Sequence, residues 1–286
     1  MKTCLTLVIM AAGTSSRYGA PKQLETFGKR NLTIAEHNVL DAISVGFTNF
    51  VFVVREQMAD TFHRRLTNLL PDNCTFSLVY QRGEKELYKY CNRTKPWGTG
   101  HALLSAKVAV QGNQGNFGLT NADDLYGKDA IDKLANFLKM ADANSPIFAN
   151  VGYRIGDTLS GNGTVSRSVM SISGDGNLVN ITEHKNISRN GEIRSEDGTK
   201  FDHDALVSMN LWGFTTKIFT ILDEQWTEFT QNISDPSVDE FYLPFAVDKA
   251  MRDKKCEVKV LKTISNWRGI TYAQDRIGLE DFLQEN

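Results

Sequence analysis

The residues most capable of chemistry lie in one short stretch near the start of the chain. Ala11-Ala12-Gly13-Thr14-Ser15-Ser16-Arg17 runs on through Tyr18-Gly19-Ala20-Pro21 to Lys22-Gln23-Leu24, directly after an apolar run over 5–11. Small residues after a buried strand let backbone N–H groups come close to a ligand, which is how a loop cradles phosphate. Arg17 and Lys22 add two positive charges to that loop. In isolation, an ordinary turn with a solvated arginine and lysine would read the same way. Two common nucleotide loops are excluded by spacing. A dinucleotide fingerprint needs G-x-G-x-x-G, whereas five residues separate Gly13 from Gly19. A Walker A loop needs lysine directly after glycine and then Ser or Thr, whereas Lys22 trails Gly19 and precedes Gln23.

Further along, Asp123 and Asp124 follow a run over 116–121 that reads as a buried strand. Ligands of open α/β sheets bind at the carboxyl ends of strands, so a carboxylate there is well placed for a cation or phosphate. Neighbours on a strand point to opposite faces, so only one of the two aims at such a site; a pair of turn caps is the plainer reading. Gln81 ends the run 75–80, where its amide can meet the edge of a base. Gly98 either lets a base lie flat on backbone or simply opens a helix, and Glu183 can accept from hydroxyls. Trp212 and Trp267 read as core, and His184 and Lys185 as exposed residues after a strand. The polar stretch 81–97, with Arg82, Lys85, Lys89, Arg93 and Lys95, is a surface insertion or a segment that closes over substrate.

The first loop resembles the pattern A-A-G-x-G-[ST]-R-x(n)-P-K-Q of the sugar-phosphate nucleotidylyltransferases, with Ser15 where that family has glycine. The resemblance continues in order through Lys95-Pro96-Trp97-Gly98-Thr99-Gly100-His101-Ala102, Leu119 to Gly127, Gly163-Thr164-Val165, Ile181-Thr182-Glu183, Val207 to Phe214 and Trp267 to Thr271. It implies transfer of a nucleotidyl group from an NTP, UTP or dTTP by preference, to a sugar 1-phosphate, giving an NDP-sugar and pyrophosphate. Arg17 would hold the leaving phosphates, Lys22 would sit between the α-phosphate and the acceptor phosphate, and Asp123 would carry Mg²⁺. Ala11, Ala12, Gly13, Thr14, Gln81, Gly98 and Thr99 would bind the nucleotide, and Gly163, Glu183 and Asn210 the sugar. The family often supplies a second metal carboxylate in W-x-D-x-G-T; Trp267-Arg268-Gly269-Ile270-Thr271 lacks it, and Asp275 is a weak substitute. Two alternatives stand beside this reading: a cytidylyltransferase acting on a non-sugar phosphate such as phosphocholine, and a catalytically silent ligand-binding paralogue.

Those residues need a frame to hold them. Apolar runs at 5–11, 49–54, 75–80, 116–121 and 145–151 alternate with helical patterns at 34–45, 56–70, 101–110 and 129–143. Such alternation indicates βαβ units and a largely parallel sheet. The second half changes character, with strands at 163–173, 178–183 and 207–214 separated by Gly/Asn/Asp turns, then helices at 217–230 and 240–252 and a late strand at 257–263. The expected class is α/β: a three-layer α/β/α sandwich with a mixed, mostly parallel central sheet, of the nucleotide-diphospho-sugar transferase type that the resemblance implies. No linker divides the 286 residues, so a single domain is expected, with 1–151 the nucleotide-binding half and 152–286 the sugar-phosphate-binding half.

Composition bounds the partners. With 41% hydrophobic and 23% charged residues and a net charge of −2, nothing favours nucleic acid or a membrane surface. Four cysteines far apart and five histidines without metal spacing suggest neither a disulfide framework nor a zinc site. Lys2 followed by the run 3–12 is a poor secretory signal. The expectation is therefore a cytoplasmic enzyme whose partners are NTP and sugar 1-phosphate, and a homo-oligomer is compatible with it.

Overall fold

Every side chain of the first strand, β1 (Leu5–Met10), is buried, so this strand must be covered on both faces. The computed structural model describes residues 4–13, 22–81, 93, 95–113, 115–270, 272 and 274–285; Thr14, Arg17, Thr271 and most of the stretch 81–97 lie outside them. After β1 comes a small hairpin, β2 (Thr26–Phe27) and β3 (Leu32–Thr33), then α1 (Ile34–Val45), β4 (Phe47–Val54), α2 (Ala59–Leu69) and β5 (Thr75–Tyr80). The chain continues through α3 (Thr99–Ser105), α4 (Lys107–Gly112), β6 (Phe117–Asn121), β7 (Asp124–Leu125), α5 (Lys128–Met140) and β8 (Ile147–Arg154). The second half holds β9 (Val165–Ile172), β10 (Leu178–Asn190), β11 (Glu192–Arg194), β12 (Lys200–Phe201), β13 (Leu206–Phe214), α6 (Lys217–Gln231) and α7 (Leu243–Arg252). It ends with β14 (Glu257–Lys262), β15 (Arg268–Gly269) and α8 (Asp275–Glu285).

The expected mixed, mostly parallel central sheet is present. Its centre, in the order β5-β4-β1-β6, is parallel throughout. Beyond β6 the antiparallel β13 continues the sheet to β9, β10, β11 and β12, and β13 also pairs with β8, which carries β14 in parallel. Period-two alternation divides the cover. Leu5, Leu7, Ile9 and Ala11 pack with Val39 of α1, Phe62 of α2 and Leu134 of α5; Val8, Met10 and Ala12 pack with Leu103 of α3, Leu222 of α6 and Val247 of α7. Each fully buried Leu, Val or Phe is worth about 1.5–3 kcal/mol, so these two layers hold the strand ends in place.

Three features depart from the sequence reading. The expected helix at 101–110 starts earlier, at Thr99, and is broken into α3 and α4 at Ala106. The helix expected at 240–252 begins only at Leu243, with a proline in its first turn, as suits a residue that lacks an N–H. The short pairs β2–β3 and β7–β15 carry too few residues to show a period, and the helix α8 was not among the expected elements. They are joined by a third small core of Phe27, Ile34, Leu125, Ile270 and Leu279, which anchors the end of the chain beside the carboxyl ends of β1 and β6.

Candidate functional site

Four parallel strands ending at one edge, with α3 starting beside them, leave a cleft of about 400 Å³. It is lined by Ala12 and Gly13 after β1, Lys22 and Gln23, Gln81 after β5, Gly98 and Thr99 at the start of α3, Asn121 at the end of β6 and Asp123 just after it, and Asn210 of β13. Lys22, Asp123, Ala12, Gly13, Gln81, Gly98, Thr99 and Asn210 are thus brought together from six separate parts of the chain. Ala11 sits one residue too early: its side chain is in the core, and its N–H donates to Val53 O at 2.8 Å.

Lys22 opens a short 3-10 turn, and its Nζ donates to Ile270 O at 2.6 Å, tying the first loop to the end of the chain. Gln23 is buried beneath it and donates through Nε2 to Gly13 O at 2.9 Å. Asp123 occupies the bend between β6 and β7. Burial pushes its carboxyl pKa up, and the charge of Lys22 works against that rise. A desolvated carboxylate facing an ammonium across a cleft is a place where further positive charge is welcome.

Asp124, the first residue of β7, does not line this cleft. Its Oδ2 accepts from Asn121 Nδ2 at 2.7 Å, and its own carbonyl accepts from Asn38 Nδ2 of α1 at 2.7 Å. Burial first, and Asp123 second, push its pKa up to about 7. Tyr126 fastens this turn to the next strand, donating its hydroxyl proton to Met209 O at 2.9 Å and accepting from Asn121 N at 3.0 Å.

The residue after Met209 is Asn210, held at a φ of +59° where the β13–β8 register shifts. A non-glycine residue in that region costs energy and needs outside support. Here Trp212 Nε1 donates to Asn210 Oδ1 at 3.2 Å, and Asn210 N donates to Ser208 Oγ at 3.3 Å. With Oδ1 so engaged, the side chain offers the cleft its Nδ2 hydrogens.

The other end of the cleft is built on Gly98. Its φ is +94°, and a Cβ there would meet Phe241 O at 2.6 Å, so only glycine fits. Gln81 Nε2 donates to Gly98 O at 2.9 Å and lies 3.3 Å from His101 Nδ1. A carbonyl oxygen only accepts, so the amide nitrogen must face it. Both amide hydrogens then point inward, and Oε1 is left as the acceptor facing the cleft. His101 is buried and stacks on Trp226 at 4.6 Å. Burial, helped by Arg93, lowers its pKa to about 4; the ring is neutral, and Nδ1 is free to accept. Thr99 Oγ1 accepts from Leu243 N at 3.0 Å and so joins α3 to α7.

Three expected residues stand apart from this cleft. Gly163 packs against Tyr272, whose ring would clash with any Cβ, and the Tyr272 hydroxyl donates to Thr164 O at 2.6 Å. Glu183 pairs across the strands with Ser168, whose Oγ donates to it at 2.6 Å. Asp275 lines a neighbouring cleft and accepts from Ser160 Oγ, Asn162 Nδ2 and Tyr272 N, each at 2.8 Å. Sequence reasoning missed Asn121 and Glu240 as lining residues. Asn121 was signalled by its place at the end of β6; Glu240 carried no signal in the sequence.

No protein-family model matches this chain, and no curated protein does. Solved structures match over nearly its full length. An inositol-1-phosphate CTP transferase from T. maritima is 15% identical, with a TM-score of 0.61 over 96% of this chain and 91% of that one. A UDP-glucose pyrophosphorylase complexed with UDP-glucose is 14% identical, with a TM-score of 0.62 over 98% of each chain. HddC from Yersinia pseudotuberculosis, complexed with GMP-PN, is 14% identical, with a TM-score of 0.61 over 98% of this chain and 99% of that one. At these identities the likeness is one of fold. No described helix is long and apolar enough to cross a membrane.

Proposed function

We propose that the chain is a sugar-phosphate nucleotidylyltransferase, moving a nucleotidyl group from an NTP to a sugar 1-phosphate and releasing pyrophosphate. The observation that carries this reading is the meeting of Lys22 and Asp123 in the same cleft as Gln81 and Gly98. One end offers charge to phosphates and the other offers a flat backbone and an acceptor to a base. An inositol-1-phosphate CTP transferase and a UDP-glucose pyrophosphorylase share the fold, which agrees with it.

The chemistry asks little covalent help of the protein. A sugar phosphate is already an anion at neutral pH, so no general base is needed. The barrier is the approach of one anion to another, and positioning with charge neutralisation lowers it. An acceptor phosphate oxygen forms a bond to the α-phosphorus, the bond to the bridging oxygen breaks, and pyrophosphate departs with the electron pair. In this reading Lys22 lies between the α-phosphate and the acceptor phosphate, and Gly13 with its neighbours carries the triphosphate. Arg17 would hold the leaving phosphates, and Asn210 would donate to the sugar. Gly163 and Glu183 are assigned to the sugar by resemblance alone.

A divalent cation belongs to the proposal, and the donor set can be tested against it. Asp123 supplies one hard, desolvated carboxylate, and Asn121 and Asn210 line the same cleft. Among the described residues no three His, Cys, Asp or Glu side chains cluster. Mg²⁺ keeps several waters and takes phosphate oxygens, so one protein carboxylate suffices. Bound there, the ion would neutralise charge on the α-phosphate. Asp275 lines the other cleft and not this one. A cytoplasmic location follows from the substrate class, since that is where nucleoside triphosphates are made and used.

For the base we propose uracil or thymine, whose N3–H can donate to the Gln81 Oε1 acceptor. The same acceptor suits the exocyclic amine of cytosine, and that specific feature favours the second reading, cytidylyl transfer to a non-sugar phosphate such as phosphocholine. A pyrophosphate-release screen of ATP, GTP, CTP, UTP and dTTP against sugar 1-phosphates and alcohol phosphates separates them. The highest kcat/KM is expected with UTP or dTTP and a sugar 1-phosphate. CTP with an alcohol phosphate would establish the second reading, and release from no pair would overturn both.

A further inference from the structure

A second cleft of about 410 Å³, lined in part by the strand β15, has a chemistry that the proposed transfer does not use. Ile270 O holds Lys22, and two residues earlier Arg268 lines the second cleft together with Arg167 and Trp267. Among the described residues the Arg268 side chain makes no hydrogen bond and no ion pair: its guanidinium stacks on Phe282 at 4.4 Å, and its Nε is buried without a partner. Arg167 is only 8% exposed and has no carboxylate within ion-pair distance. Its donors reach Thr158 Oγ1 at 3.1 Å, Thr158 O, and Ser166 O at 2.8 Å, all neutral acceptors, and its guanidinium lies 4.8 Å over the Trp267 ring. Trp267, 9% exposed, adds an indole N–H that is buried and unpartnered.

Buried donors are nearly always satisfied, and a buried guanidinium without a counter-charge is costly. Two aspartates line the same cleft, but their charge is already engaged. Asp275 takes the three donors described above, and Asp157 accepts from Arg154 Nε at 2.8 Å with His203 Nε2 at 3.4 Å. Asp124, Glu183 and Asp275 offset the Arg167 charge only from beyond ion-pair distance, so what the cleft lacks is a charged acceptor in contact with either guanidinium. The stacking on Phe282 and Trp267 holds both guanidinium planes in place beforehand, as forked recognition of an oxyanion requires.

We propose that this second cleft is an oxyanion site, taking a phosphate or carboxylate group on the fork of Arg268 with Arg167 behind it. The group belongs either to the acceptor substrate or to a free small anion that acts as an effector. The site stands on its own geometry and does not depend on the proposed transfer.

The test is a calorimetric titration of the full chain with inorganic phosphate at constant ionic strength, followed in parallel by the tryptophan indole N–H resonances. Wild type is expected to bind phosphate with a shift of the Trp267 resonance, assigned with Trp267→Phe. Arg268→Gln keeps the stem and the contact with Phe282 but removes the charge, and should weaken binding roughly tenfold or more, the scale of a charge-assisted hydrogen bond. Arg268→Lys should recover only part of it, and Lys22→Ala should leave the Trp267 shift intact. Equal phosphate titrations for wild type and Arg268→Gln, or a Trp267 resonance that does not move, would overturn the site. Glucose 1-phosphate tells the two sources apart: displacement of phosphate places the acceptor in the cleft, and retention of phosphate with an altered transfer rate marks an effector. If phosphate binds in this Arg268-dependent way while no NTP yields pyrophosphate, the site stands and the transferase reading fails.

Discussion

At the scale of single residues, Gln81 shows how a burial pattern becomes a specificity. Its amide is held by two acceptors, Gly98 O and His101 Nδ1, and the second works only because the imidazole is neutral. His101→Phe keeps the stacking on Trp226 and removes the acceptor. The expected result is a roughly fivefold loss in the UTP-to-CTP ratio of kcat/KM, the scale of one hydrogen bond of about 1 kcal/mol; an unchanged ratio would show that Gly98 alone orients the amide. The same histidine sets a pH dependence. Its folded pKa is about 4 against 6.5 unfolded, so as the pH falls the unfolded chain takes up the proton first. Stability is complete above pH 6.5, declines down to about pH 4 and levels off below. The ceiling of that loss is about 3 kcal/mol, and denaturant titrations should show it in wild type but not in His101→Phe. At the transfer site, Lys22→Ala should lower kcat roughly 10²–10³-fold, as removal of a group that stabilises transition-state charge does, with circular dichroism unchanged. Asp123→Asn should abolish activity, whereas Asp124→Asn should lose far less. An amide there resembles the protonated acid that burial favours, so the reverse order would mean that the site is built around Asp124.

At the scale of elements, the carboxylate turn depends on a helix that never touches the cleft. The Thr33 hydroxyl caps α1, and Glu36 returns the bond to Thr33 N, a capping box that fixes the first turn. One turn on, Asn38 is buried, donates to Asp124 O at 2.7 Å and accepts from Tyr126 N at 3.2 Å. Asn38→Ala leaves two buried backbone groups without partners, at about 1–3 kcal/mol each. Thermal unfolding should report that loss, and KM for the metal–nucleotide complex should rise with it. A stable variant with unchanged KM would mean that the turn holds itself. On the opposite wall, Gly98→Ala forces a Cβ into Phe241 O at a positive φ. It should cost about 2 kcal/mol or more and raise KM for every NTP, since the wall that meets the base is displaced.

At the scale of the whole molecule, the cleft lies where the parallel centre of the sheet meets the antiparallel β13, so its occupancy should be felt by both helical layers. A ligand at one hundred times its Kd stabilises a fold by about 2.7 kcal/mol, or a Tm rise of about 4–5 °C in a chain of this size. UTP with Mg²⁺ should produce a shift of this order in differential scanning, and Lys22→Ala should remove most of it. A shift that survives in Lys22→Ala would place the nucleotide elsewhere.

The layered α/β architecture was legible in the sequence because apolar runs of strand length at 5–11, 49–54 and 116–121 alternate with helical patterns such as 34–45. A first loop with small residues and Lys22, and a carboxylate at Asp123, were legible because chemistry restricts which residue types can stand there. The tertiary structure alone decided which of these share a cleft. Asn210 enters it through a register shift and a left-handed backbone that no local pattern announces, while Gly163 and Glu183 are drawn away by Tyr272 and Ser168. Asp275 and Arg268 illustrate the same limit. Arg268 lies in a two-residue strand whose partner Leu125 is far back in the chain, and Asp275 is held by Ser160 and Asn162, more than a hundred positions away. Local sequence records what a segment prefers by itself, whereas a site is an agreement among distant segments, reached only when the two layers close over the sheet.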